Sequence, residues 1–155
     1  MSTRKTDFFL SYKNFYMRLR DDFIKHRKLV IAYDFDDTIS NFSKCKYSEA
    51  EGWDNSKVIK LLQDYRDYAY FILFTARGTE DKIKEAVDYI RENNIPLNAV
   101  NENMPGLPFG NSGKVYYNVL LDDKAGLGWP CRALRQLLKE IKGGNFDEKE
   151  RVACN

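Results

Sequence analysis

Leu29-Val30-Ile31-Ala32-Tyr33-Asp34-Phe35-Asp36-Asp37-Thr38 decides how the chain is read. Five apolar residues run without a polar break into a cluster of acids. A short continuous apolar run of this kind fits a strand buried on both faces, as in a parallel sheet. Extended residues at i and i+2 point to the same side, so Asp34 and Asp36 are expected to share a face, with Phe35 and Asp37 pointing elsewhere.

Downstream the pattern alternates. Residues 56–68 read as a helix with Val58, Ile59, Leu61, Leu62 and Tyr65 on one face, followed by a second buried strand over Ala69–Phe74. Thr79 is a helix N-cap with Glu80 and Asp81 in the first turn, and Asn93-Asn94 with Pro96 ends that helix. Leu97–Val100 reads as a weak third strand and Val115–Leu121 holds a fourth. A last helix carries Leu134, Leu137, Leu138 and Ile141, and Gly143-Gly144 stops it. Alternating strands and helices predict a single α/β domain, Rossmann-like, with a mainly parallel sheet flanked by helices. Its expected bounds are 29–144, preceded by an N-terminal extension over 1–28 and followed by a polar tail over 145–155.

In such sheets ligands bind outside the carboxyl ends of the strands. The first strand ends in Asp34–Thr38, the second in Thr75-Ala76-Arg77-Gly78 and the fourth in Asp122-Asp123-Lys124, with Lys114 in the loop before it. Four segments thus deliver oxygen ligands and cations to one edge. Carboxylates of this kind suit Mg²⁺, which is held by one or two carboxylates together with substrate phosphate. Clustered acids repel a phosphate dianion, and a divalent cation with Lys114 and Arg77 reverses that repulsion. Thr75 adds a hydroxyl, and the turn after it opens a helix whose N-terminal amides favour an anion. One acidic pair alone is more simply a solvated cap; the combined set is not.

These motifs resemble the haloacid dehalogenase superfamily, whose first motif is an apolar strand followed by Asp-x-Asp-x-Thr. Asp34 to Thr38 matches it, Thr75 matches the second motif, Lys114 the third and Asp122-Asp123 the fourth, in the family's order over residues 29 to about 142. Asp37 stands where many members have Gly. The resemblance implies a Mg²⁺-dependent phosphomonoesterase. In it Asp34 is the nucleophile that forms an aspartyl-phosphate, and Asp36 is the general acid and then base. Mg²⁺ is held by the Asp34 carboxylate, the Asp36 main-chain carbonyl and Asp122, with Asp123 direct or through water. Thr75 and Lys114 hold the phosphoryl oxygens, and Thr38, Ala76 and Arg77 belong to the substrate site. Lys114 is chosen over Lys124 because it precedes the fourth strand at a Gly-rich loop. The second acid, Asp36, favours phosphorus over carbon–halogen chemistry.

Forty residues separate Asp34 from Thr75 and thirty-eight separate Thr75 from Lys114, too few for a full cap domain. The chain therefore resembles small capless members, including uncharacterised bacterial and phage hydrolases, and the phosphatase half of polynucleotide kinase-phosphatases, which has a similar arginine after the second motif. The loops 47–53 and 101–113 are candidate walls, and Trp53 is either a base-stacking or a packing residue. Two lookalikes fail. A nucleotide-binding P-loop ending at Gly113-Lys114 needs Gly where Pro108 stands and Ser or Thr where Val115 stands. A receiver domain carries its acidic pair and its phosphorylated Asp in the reverse order.

Composition bounds the rest. The chain has 155 residues and a formal net charge of +2, too mild by itself to imply nucleic acid. A single histidine, His26, excludes histidine triads and multi-histidine metal sites, and Cys45, Cys131 and Cys154 match neither a disulfide framework nor a zinc pattern. A reducing cytoplasm is the simplest compartment; no membrane span and no secretory signal is expected, and nothing indicates an oligomer. Residues 1–30 hold eight Lys/Arg against three Asp, with Phe8, Phe9, Tyr12, Phe15, Tyr16, Leu19 and Phe23 at helical spacing. That segment reads as an amphipathic helix packed on the domain; the sharper alternative is a basic arm for a nucleic acid or another partner. A nucleotide or nucleic-acid end is the preferred substrate. A sugar phosphate, another small metabolite, or a non-catalytic phosphate-binding module are the alternatives.

Overall fold

The computed structural model describes residues 11–42, 53–109 and 113–146. Phe8, Phe9, Cys45, Tyr47, Cys154 and the tail beyond Phe146 lie outside the described residues. The elements run α1 (Tyr12–His26), β1 (Leu29–Tyr33), α2 (Asn55–Asp64), β2 (Ala69–Leu73), α3 (Glu80–Glu92), β3 (Ala99–Val100), β4 (Val119–Leu121), a 3₁₀ turn (Asp123–Ala125) and α4 (Gly128–Lys142). The sheet order is β3-β2-β1-β4, parallel throughout, with Ile31 level with Phe71 and Val119. The protein is an α/β domain on a four-stranded parallel sheet, as the alternating pattern predicts.

β1 is central and all five of its residues are buried, which is why it reads as an unbroken apolar run. β3 and β4 are shorter than the sequence suggests. Asparagine side chains take over the ladder at their margins: the Phe71 N–H donates to Asn98 Oδ1 at 2.8 Å and the Val30 N–H to Asn118 Oδ1 at 2.6 Å. The Asn118 N–H in turn donates to the Val30 carbonyl at 2.9 Å. The backbone groups are thus satisfied without extended strand geometry.

The two sheet faces differ. Leu29, Ile31, Tyr33, Phe71, Leu73 and Val119 share one core with residues of all four helices, among them Leu19, Leu62, Ile90 and Leu134. The opposite face buries Val30, Ala32 and Ile72, and is packed by Tyr70, Ala99, Met104, Val115, Tyr117 and Leu120. Among the described residues no helix lies there, because the β3–β4 connection, which crosses back over that face, carries none.

α1 packs on α4. Tyr16, Leu19 and Phe23 are buried, the Tyr12 hydroxyl donates to Gln136 at 2.7 Å, and Arg20 pairs with Glu140 at 2.9 Å. The Ser11 side chain caps the helix by accepting from the Asn14 N–H. The described part of the N-terminal segment is therefore a packed helix, with Tyr12 and Phe15 against Trp129. That is the packing reading rather than the free basic arm. Thr79 caps α3 as expected, accepting from the Lys82 N–H, and Asp54 caps α2 by accepting from the Lys57 N–H; Gly144, at φ 75°, lies just past the end of α4. Phe146 is also buried, so packing runs two residues beyond the expected domain end. Among the described residues no helix is long and apolar enough to cross a membrane.

Candidate functional site

Two hydrogen bonds fix the carboxyl edge of the sheet. The Asp34 N–H donates to the Leu121 carbonyl at 2.9 Å and the Phe74 N–H to the Tyr33 carbonyl at 2.8 Å. The end of β1 is thereby held between the ends of β4 and β2. Asp34, Asp122 and Asp123 converge there, with one carboxylate oxygen from each inside a 4.8 Å group. Burial and then the Asp122 charge push the Asp34 carboxyl up to about 7. Asp123 is also raised, by burial first. Both shifts have the causes expected of desolvated like charges.

The loop after β1 is tightly built. The N–H groups of Ile39 and Ser40 both donate to the Phe35 carbonyl at 3.2 Å. Asp37 sits at φ 64°, in the left-handed region that glycine occupies freely. Aspartate tolerates this conformation better than most residues. Thr38, expected in the substrate site, is 1 % exposed. Its hydroxyl donates to Asp123 Oδ1 at 3.2 Å and accepts from the Asp123 N–H at 3.0 Å. Thr38 therefore orients an acid of the triad and offers little surface to a substrate.

Asp36 departs from the expectation that it shares a face with Asp34. Regular extended structure stops at Tyr33, so the alternation of side chains stops there too. The Asp36 carboxylate turns to Arg77, receiving Nε at 3.1 Å and Nη2 at 2.8 Å. It is not part of the carboxylate triad; only its main-chain carbonyl was expected to serve a metal. Arg77 is held further by the Lys82 carbonyl at 2.9 Å and Glu85 at 3.4 Å, with its guanidinium 4.6 Å from the Phe35 ring centre. Its charged form is reinforced above all by the Asp36 hydrogen bonds. Expected as a phosphate ligand, Arg77 spends its planar fork on Asp36.

Thr75 is nearly buried and is clamped by a residue that the sequence reading passed over. The Asn101 side chain accepts from the Thr75 N–H at 2.9 Å and donates to the Thr75 carbonyl at 3.0 Å. Asn101 lies immediately after β3 at φ 51°; an asparagine directly after a strand was the signal available. The Thr75 Oγ1 accepts from the Arg77 N–H at 3.2 Å, leaving its own proton to donate. Ala76 is exposed beside it. The helix amides expected here as an anion site lie farther along: α3 starts at Glu80, its N-terminus is capped by Thr79, and its first turn is acidic.

Lys114 is exposed, and its side chain makes no ion pair among the described residues. It lines a 320 Å³ cavity with Phe109, Val115, Tyr116 and Tyr117, which does not include the triad. The structure thus brings Asp34, Asp122, Asp123 and Thr38 into one cluster and Asp36, Thr75, Ala76 and Arg77 into the adjoining one, and among the described residues no ion pair joins Lys114 to either. Lys124, on the 3₁₀ turn, donates its backbone N–H to Asp122 at 2.9 Å, and its side chain is exposed. Trp53 is buried under Arg135, at 4.3 Å, and is a packing residue. Cys131 is fully buried with its thiol pushed up to about 12, the mark of an inert core cysteine.

No known family profile and no curated protein matches the chain. Among solved structures it is similar to a conserved protein from Bacteroides thetaiotaomicron, at 24% identity and a TM-score of 0.49, over 76% of this chain and 92% of that one.

Proposed function

We propose that the protein is a Mg²⁺-dependent phosphomonoester hydrolase of the haloacid dehalogenase type, working through an aspartyl-phosphate. The observation that carries the reading is the Asp34–Asp122–Asp123 triad at adjoining strand ends, with Asp36 two residues beyond the nucleophile. The donor set fits the ion. It is all oxygen and only half-buried, and burial first, then the Asp122 charge, pushes Asp34 upward, a cost that a cation would relieve. Asp34, Asp122 and the Asp36 carbonyl would hold Mg²⁺, with Asp123 oriented by Thr38. Bound there, the ion supplies charge neutralisation to an incoming phosphate dianion.

The chain's own residues carry the bond changes. An Asp34 carboxylate oxygen attacks phosphorus, the bond from phosphorus to the leaving oxygen breaks, and Asp36 delivers its proton to that oxygen. Asp36 then takes a proton from water, the water oxygen attacks phosphorus, and the Asp34–phosphorus bond breaks. The Arg77 fork holds the Asp36 carboxyl in place for both transfers. Thr75 donates its hydroxyl proton to a phosphoryl oxygen, and Lys114 swings its flexible stem toward the same group. The substrate is read as a nucleotide or nucleic-acid end, and the compartment as a reducing cytoplasm.

The test is hydrolysis of an aryl phosphate by the purified protein. Activity should need Mg²⁺, stop with a chelator, and fall at least ~10³-fold in Asp34→Asn. Wild-type rates in both Asp34→Asn and Asp36→Asn would sink the mechanism. Failure across a broad phosphatase panel would favour a phosphate-binding module.

A further inference from the structure

Asp36 identifies a second part of the site. If it protonates the leaving oxygen, the leaving group must lie within hydrogen-bond reach of its carboxylate. The cavity that contains Asp36 is a cleft of about 330 Å³ bounded by Phe42, Ala76, Arg77, Gly78, Lys82 and Glu85. That volume is at the lower end of the range for sites enclosing small organic ligands.

The lining is poor in groups that match sugar hydroxyls. Its two carboxylates, Asp36 and Glu85, are both engaged by Arg77. Two carboxylates and two cations leave the lining neutral overall, and what the cleft offers is an aromatic ring beside a paired guanidinium and the ammonium of Lys82. Phe42 is 68 % exposed, and its ring centre lies 5.9 Å from the Arg77 guanidinium. Leaving a phenyl ring this open beside the catalytic edge forgoes burial worth roughly 1.5–3 kcal/mol, and among the described residues it joins neither core cluster. An exposed ring next to a fixed cation is the surface on which a planar base stacks. Lys82 adds an ammonium that makes no ion pair among the described residues.

We propose that this cleft is the leaving-group subsite and that it takes a nucleoside, its base stacked on Phe42 and its departing oxygen at Asp36. The inference rests on the phosphomonoesterase reading of Asp34 and Asp36. Lys82 lines the same cleft and would meet a further phosphate of the same molecule, whether the nucleoside belongs to a free nucleotide or to a strand end.

Adenosine 5′-monophosphate and ribose 5-phosphate carry the same ester and the same leaving oxygen, and differ at the base. With Mg²⁺ and the wild-type chain, kcat/KM should favour the nucleotide by about tenfold, the lower end of base–aromatic stacking. Phe42→Ala should bring the ratio toward one and Phe42→Trp should restore it. Adenosine 5′-monophosphate, but not ribose 5-phosphate, should quench the fluorescence that the new tryptophan adds. A ratio near one in the wild type, or one unmoved by Phe42→Ala, overturns the subsite while leaving the hydrolase reading intact. Quenching by the nucleotide with turnover of neither compound keeps the nucleoside site and overturns the hydrolase reading. Absence of both quenching and turnover overturns both. A 5′-phosphorylated trinucleotide separates the two sources. A tenfold margin over the mononucleotide that Lys82→Gln removes assigns a strand end, and equal values assign a free nucleotide.

Discussion

Asp34 and Asp36 are two residues apart on one loop, yet the two sides of the sheet's carboxyl edge treat them in opposite ways. Toward β4, Asp34 meets two more acids within a 4.8 Å group, and no basic side chain pairs with any of the three among the described residues. Toward β2, Asp36 is gripped by both prongs of Arg77. Like charges crowded together at partial burial raise one another's proton affinity, whereas a bidentate pair is electrostatically complete. The β4 side is therefore short of a cation and the β2 side is not. The proposed Mg²⁺ site rests on that contrast.

Breaking the acidic side should have the largest effect. Asp122→Asn removes a triad oxygen charge without changing shape. The Mg²⁺ concentration for half-maximal activity should rise more than ~100-fold, beyond what loss of an outer-sphere partner causes. The melting temperature offers a readout independent of turnover. Mg²⁺ at ~100 times its dissociation constant should stabilise the wild-type fold by about 2.7 kcal/mol, and the same concentration should leave the variant's melting temperature unmoved. Identical Mg²⁺ titrations of the two proteins would remove the triad as the ion's seat.

Breaking the paired side should cost less and show a different signature. Arg77→Ala releases the Asp36 carboxylate, so proton delivery suffers most where the leaving group needs it. An alkyl phosphate should lose about 100-fold in kcat, within the range that general acid catalysis supplies, while p-nitrophenyl phosphate should lose severalfold. Arg77→Lys should recover part of the alkyl activity through a single contact. Equal losses on both substrates would mean that Arg77 holds the phosphoryl group and not Asp36.

How far the sequence reached follows the same division. The buried strands β1 and β2, the cap Thr79 and the Asp122-Asp123 pair depend on local pattern, and local pattern is what a sequence displays. The fate of Asp36 depends on where regular extended structure stops, and that is set by the turn closed on the Phe35 carbonyl. The Arg77 fork and the Asn101 clamp on Thr75 each join segments more than twenty residues apart. Nothing in spacing reveals such pairings. The short β3 and β4 were overread because asparagine side chains, not strand backbone, complete their ladders.

A smaller effect sharpens the acidic side through pH. The Asp34 carboxyl is raised in the folded chain, to about 7 from an ordinary 3.8. Its ionised form is therefore disfavoured by folding. The burden is absent below about pH 4, grows through the window between the two values, and is full above 7. In metal-free protein, Asp34→Asn should gain stability relative to wild type as pH rises from 4 to 8. Because the group is only half-buried, solvent screening reduces the expected gain to about 2 kcal/mol. Urea melts at the two pH values measure it. A gain independent of pH would assign the strain to packing and not to charge.

The smallest effect tests the hinge between the two sides. Asp37 holds φ at 64° on the turn that sends Asp34 one way and Asp36 the other. A left-handed residue with a Cβ costs roughly 1–2 kcal/mol, less for aspartate than for most. Asp37→Gly removes that cost but adds freedom to the unfolded chain, which offsets part of the gain. It also removes a fourth acid that contributes to the upward shift of Asp123. The net expectation is stabilisation by about 0.5 kcal/mol in chelator-treated protein, read from the urea midpoint at unchanged slope. The backbone geometry of the turn is preserved, so the Mg²⁺ dependence of activity should stay within about twofold. A destabilised variant would show that the Asp37 side chain holds the turn, and that the left-handed backbone is not the dominant cost.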